Sequence, residues 1–147
     1  MIARLRQLAR DDRGSVSVGT SVVLPAFFLM GLLVIAFGRI AIAEGAVQSA
    51  ANEAARAASI SRAATSAQSA ASSAASTTLS NSGLSCVSTD VNTSTSGFST
   101  SVGQAATVQV TVTCVVQLSD LTLPGAPSTR TLTATATSVL DTYRERS

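Results

Sequence analysis

The chain has 147 residues, enough for one small domain and an anchor but not for two full domains. Charged residues make up 12%, aromatics 3%, and Trp is absent, so any core must rest on Ala, Val and Thr rather than on bulky side chains. A net charge of +2, with no basic stripe interleaved with aromatics, argues against nucleic acid, and the absence of His removes the commonest general base and transition-metal ligand.

Four arginines, Arg4, Arg6, Arg10 and Arg13, open the chain. They are followed by 25 uncharged residues, Gly14 to Gly38, with the most apolar stretch from Val22 to Phe37. A bilayer needs about 20 predominantly apolar residues per helix, so this segment is long enough to span. Only Arg39 follows closely, with Glu44 nearby. The positive-inside bias therefore places the N-terminus in the cytoplasm and the residues beyond about 42 outside. Pro25 cannot donate its backbone hydrogen bond, which allows a local kink. A secretory signal peptide is the rival reading: the basic start fits it, and Ala41-Ile42-Ala43 has the look of a cleavage site. Its apolar stretch, however, exceeds the usual h-region of about 7–15 residues.

Beyond Gly38 the sequence stays helical in character. Residues 43–58 are dominated by Ala, the best helix former, and Glu53 and Arg56 are spaced to pair on one face. No Pro occurs between Pro25 and Pro124. The pattern predicts a single helix from about Val16 to about Thr78, stopped by Asn81-Ser82-Gly83. Small residues at Ala43, Ala50, Ala54, Ala57, Ser61, Ala64, Ala71 and Ala75 recur three, four or seven apart and so share one face. Such a stripe allows close helix–helix approach, the plainer account being a simple tether.

The period then changes. From Thr107 to Leu118 apolar side chains fall on even positions and polar ones mostly on odd, the mark of a half-buried strand. Arg130 to Leu140 repeats the alternation, and a weaker strand is expected from about Leu84 to Val91. Leu123-Pro124-Gly125-Ala126-Pro127 reads as the turn between the two strong strands. Three antiparallel strands with one apolar face need a cover, and the C-terminal part of the helix is the available one. Cys86 and Cys114 fall on the apolar faces of their strands. Outside the cytoplasm, two such cysteines favour a disulfide over two buried free thiols. Closing a loop of this size contributes about 3–4 kcal/mol in the chain-entropy model.

Four groups of residues follow one another along the chain: Arg13-Gly14-Ser15-Val16-Ser17-Val18, Thr20 and Leu24-Pro25, then Phe37-Gly38-Arg39, then Ala50 to Ala58 with Asn52-Glu53 and Arg56. Their order resembles the TadE-like family, minor pilins or pseudopilins of the tight-adherence (Tad) type IV pilus system. The later segments Val110 to Cys114, Leu118 to Leu121, Pro124-Gly125, Arg130 to Ala136 and Asp141 to Arg144 are similar to the actinobacterial versions. The resemblance implies cleavage by a prepilin peptidase after Gly14, giving a mature N-terminus at Ser15. It also places a Glu five residues into the mature chain, where this sequence has Gly19. In related pilins that Glu neutralises a neighbour's terminal amine, so Gly19 points away from a major filament subunit and towards a minor, priming or assembly component, or a protein that stays in the membrane.

The expected fold is α+β and pilin-like. Residues 1–14 form a basic cytoplasmic leader, 15–42 a transmembrane helix, 43–82 an extracytoplasmic Ala/Ser-rich helix, and 83–147 a small β module with its disulfide. The expected function is a structural minor pilin or assembly component of a surface pilus. Its partners would be membrane lipid, other pilins, Tad assembly proteins and the prepilin peptidase, with no nucleic acid, cofactor, metal or small-molecule substrate. The alternative is a single-pass, membrane-tethered extracellular binding module with no filament role. No enzyme is expected: Asp90, Asp120 and Asp141, read as solvated turn residues, form no spaced set with a nucleophile and base. Asn92-Thr93-Ser94 fits a glycosylation sequon, a weak signal.

Overall fold

A computed structural model describes the chain over residues 13–117 and 129–143. The leader up to Asp12, the expected turn Leu123–Pro127, and Asp120 lie outside the described residues. The elements in chain order are α1 (Arg13–Ser59), α2 (Ala64–Asn81), β1 (Cys86–Ser94), a 3₁₀ turn (Ser96–Ser99), β2 (Thr107–Gln117) and β3 (Thr129–Val139). The fold is α+β, with a long N-terminal helix and a three-stranded antiparallel sheet of order β1-β2-β3. The chain divides into two compact units, residues 1–39 and 40–147.

In the first unit the described part is the beginning of α1. Its large apolar side chains stand outward on every side: Phe27, Phe28, Leu29, Met30, Leu32, Leu33, Val34, Ile35 and Phe37 are all exposed. A helix apolar all round has no face to turn to water. Pro25 lies inside α1, which continues through it.

The second unit holds the core. The expectation of one helix to about Thr78 is corrected: α1 ends at Ser59 and α2 begins at Ala64. Length gives the reason. An unbroken helix from residue 40 to 81 would run about 63 Å, whereas an 11-residue strand spans about 37 Å. Breaking the helix into pieces of about 30 Å lets both lie on the sheet. Hydroxyl groups make the break locally stable. Ser59 Oγ donates to the Arg56 carbonyl at 2.8 Å and Ser61 Oγ to that of Ala57 at 3.3 Å, satisfying carbonyls that the helix end leaves free. Ser66 then caps the start of α2, its Oγ accepting from Ala63 N at 3.4 Å.

The expected stop at Asn81-Ser82-Gly83 is present. Gly83 has φ +67°, its N–H reaches Ser80 O at 3.0 Å, and Leu84 N–H reaches Leu79 O at 3.1 Å. This is a Schellman closure, with Leu79 in the core and Leu84 half-buried against it.

Half of the small-residue stripe faces inward, and Ala43, Ala57, Ser61 and Ala64 are half-buried. Ala50, Ala54, Ala71 and Ala75 are fully buried, as are Ala51, Ala58 and Ala67. They pack in one cluster with Val108, Val110, Val112, Cys114, Leu132, Ala134 and Ala136 from the sheet. Ala50, Ala54, Ala71 and Ala75 of the stripe read as a surface for helix–helix approach are therefore spent on the unit's own core. Alternation holds on β2, where the even positions Val108 to Val116 are buried, and in the middle of β3, where Leu132, Ala134 and Ala136 are. Outward positions pair as threonines, Thr111 with Thr135 at 3.0 Å and Thr113 with Thr133 at 3.3 Å.

The weak strand is shifted and irregular. It runs Cys86–Ser94 rather than Leu84–Val91, with a register shift between Cys86 and Ser88. The half-buried residues are Cys86 and then Val91 and Thr93, even before the shift and odd after it. A bulge adds one residue to one strand and so reverses parity, which a two-residue period cannot anticipate.

Gly97, in the 3₁₀ turn, is required by space. A Cβ there would lie 2.3 Å from Thr107 O and 2.9 Å from Leu140 Cδ1. Its neighbour Phe98 is buried in the core.

Candidate functional surfaces

The first surface is the apolar stretch of α1. Between Val23 and Ser59 the helix is long and apolar enough to cross a membrane, with its bulky apolar residues concentrated from Val23 to Phe37. Phe27 is 76% exposed and Phe28 68%, far outside what a soluble core helix shows. One N-terminal apolar helix of this kind fits a single-pass membrane protein. The processing bond inferred from the resemblance, Gly14–Ser15, lies in the first turn of α1, and Gly19 lies in the next.

The second feature is the disulfide. Cys86 and Cys114 are joined, with Cα atoms 5.5 Å apart. Cys86 stands opposite Val116, two residues from Cys114 on the same face of β2. The bond thus ties the start of β1 to the neighbouring strand at the bulge. Cys114 is fully buried, and no free cysteine is found among the described residues.

The third feature is the pair of sheet edges, which differ. At β1, the Gln68 side chain of α2 bonds the strand twice: Nε2 donates to Val91 O at 2.7 Å, and Oε1 accepts from Thr93 N at 3.1 Å. At β3, no hydrogen bond among the described residues reaches the outer backbone edge. A shallow groove there is lined by Glu44, Val47 and Gln48 of α1 and by Arg130 to Ala134 of β3. Its one ion pair, Arg130 to Glu44 at 3.5 Å, is half-exposed and worth little.

The carboxylates read as turn residues divide. Asp141 lies in a turn, accepting from Tyr143 N at 3.0 Å, but Asp90 stands within β1, exposed and opposite Thr113. Asn92 of the sequon is exposed on the same strand, while Thr93 is half-buried. Among the described residues, no His/Cys/Asp/Glu group could hold a metal ion. Sequence reasoning missed Gln68 and Gly97. Neither carries a local signal, since each acts on a strand distant along the chain.

With this geometry in place, comparison with known proteins is informative at one point. A family model described as TadE-like protein matches residues 14–56. Over those residues, less than a third of the chain, the sequence is similar to the TadE-like family. The match begins at the inferred processing point and ends three residues before the end of α1, so it covers the helix and none of the sheet. The TadE-like family is structural and associated with the Tad pilus. No curated protein and no solved structure gives a significant match.

Proposed function

We propose that this chain is a minor pilin or assembly component of a Tad-type surface pilus, cut by a prepilin peptidase between Gly14 and Ser15. The observation that carries the reading is the coincidence of the TadE-like match, residues 14–56, with one outward-apolar helix. In this reading the N-terminus is cytoplasmic, held there by Arg4, Arg6, Arg10 and Arg13. Cleavage removes all four, together with their cost of crossing the bilayer, and frees α1 to leave the membrane for an assembly. The unit of residues 40–147 lies outside the cytoplasm, where the Cys86–Cys114 bond is chemically at home. The chain's work is contact rather than chemistry, with other pilins and Tad assembly proteins as partners.

Gly19 favours a second reading, a binding module that stays tethered in the bilayer. Without a carboxylate at that position, nothing offsets the amine of a neighbouring subunit inside a filament. The intact mass of the native protein tests the first reading. The expected product lacks Met1 to Gly14 and depends on an active prepilin peptidase. Full-length protein in cells with that peptidase would overturn the processing step. Cross-linking then separates the two roles: recovery of pilins and assembly-platform proteins supports the first, and their absence supports the tethered module.

A further inference from the structure

The two edges of the sheet are chemically complementary, yet among the described residues only the β3 edge is open. Gln68 touches β1 at the carbonyl of residue 91 and the amide of residue 93. Those are the two groups that a parallel strand's residue opposite Asn92 would use, because parallel ladders bond the residues before and after the one faced. An antiparallel neighbour would instead take both groups of a single residue. The carboxamide of Gln68 therefore stands in for a parallel strand.

Within one sheet β1 and β3 both run antiparallel to β2, and so run parallel to each other. The β3 strand of a second copy in the same orientation would meet β1 as a parallel neighbour. A second copy displaced sideways in the plane of the sheet, without rotation, has that shared orientation. The β3 edge is 11 residues long and carries none of the usual guards between Thr131 and Val139: no Pro, no charge and no bulge. Its outward Thr131, Thr133, Thr135 and Thr137 would continue the row of polar side chains formed by Ser88, Asp90, Asn92 and Ser94 on β1.

We infer that Gln68 is a latch on the β1 edge, holding it closed against the β3 edge of a second copy of this chain. With the latch in place, copies standing side by side cannot join sheet to sheet. Released, β1 accepts β3 of the neighbour, and the contact propagates head to tail because each copy, over its described residues, still offers one free edge. This inference rests on the sheet edges and not on cleavage at Gly14, so the two can fail separately.

The test uses the full chain in detergent micelles. Gln68→Met keeps the side-chain length and removes both bonds. Amide hydrogen exchange at Thr93 is expected to quicken at least tenfold in dilute Gln68→Met. Light scattering should show the variant's mass rising with concentration beyond the wild type. Adding Thr133→Lys and Thr135→Lys on β3 should return the mass to the wild-type value. If Gln68→Met fails to fold by circular dichroism, Gln68→Glu, which keeps the acceptor for Thr93 and loses the donor for Val91, should show the same growth. Equal Thr93 exchange in wild type and variant would overturn the latch. Growth that is absent, or that survives the two lysines, would overturn the β3 edge as its occupant.

Discussion

The two halves of α1 follow opposite rules. From Val23 to Phe37 the large side chains are exposed, while from Val47 to Ala58 the small ones are buried, most of them completely. One continuous helix thus carries a segment with no protein core and a segment built into one. The difference lies in what each half packs against. Bulky residues arranged all round a helix suit lipid or other helices, whereas alanines on one stripe let a helix approach a sheet closely. A bulky side chain is thus tolerated in one half and excluded from the other.

The largest test of the built half removes its staple. Replacing Cys86 and Cys114 by Ser should cost about 3–4 kcal/mol, seen as a lower midpoint in denaturant unfolding of the full chain. A midpoint unchanged after reduction would mean that packing alone holds the sheet. Next comes Gly97→Ala, whose Cβ meets the backbone at Thr107. A loss of about 1–3 kcal/mol is expected from that overlap, and a neutral result would show that the 3₁₀ turn moves freely. The halves are then compared directly by Ala54→Leu and Ala26→Leu. The first forces extra volume into a filled core and should destabilise by about 1–3 kcal/mol. The second adds apolar surface to an exposed position and should leave the unfolding midpoint where it was. Equal effects would erase the distinction between the halves. The smallest effect is expected at the Arg130–Glu44 pair: Arg130→Ala should change stability by less than about 1 kcal/mol, because both partners are half-exposed.

Much of the fold could be read along the chain. The apolar run, the alternation of Thr107–Gln117 and Thr129–Val139, and the helix stop at Gly83 are all local patterns with fixed physical periods. The proposed processing point, Gly14–Ser15, is of another kind, since it follows from the resemblance to the TadE-like family and not from a local period. Three features were not legible. The break at residues 60–63 follows from a length mismatch between helix and sheet, and neither length is known until the strands pair. The bulge between Cys86 and Ser88 reverses a parity that the sequence displays as regular. Gln68 looks like any polar residue on an Ala-rich helix until α2 is laid beside β1.

The sequence by itself determined the apolar span, the strand alternation and the helix stop, because each depends on residues within one or two turns of each other. Tertiary structure alone decided where the alanine stripe points, how the two cysteines come within bonding distance across a bulge, and which sheet edge Gln68 bonds. Each of these requires groups far apart in the chain to meet, and the energy that selects them exists only once they have met.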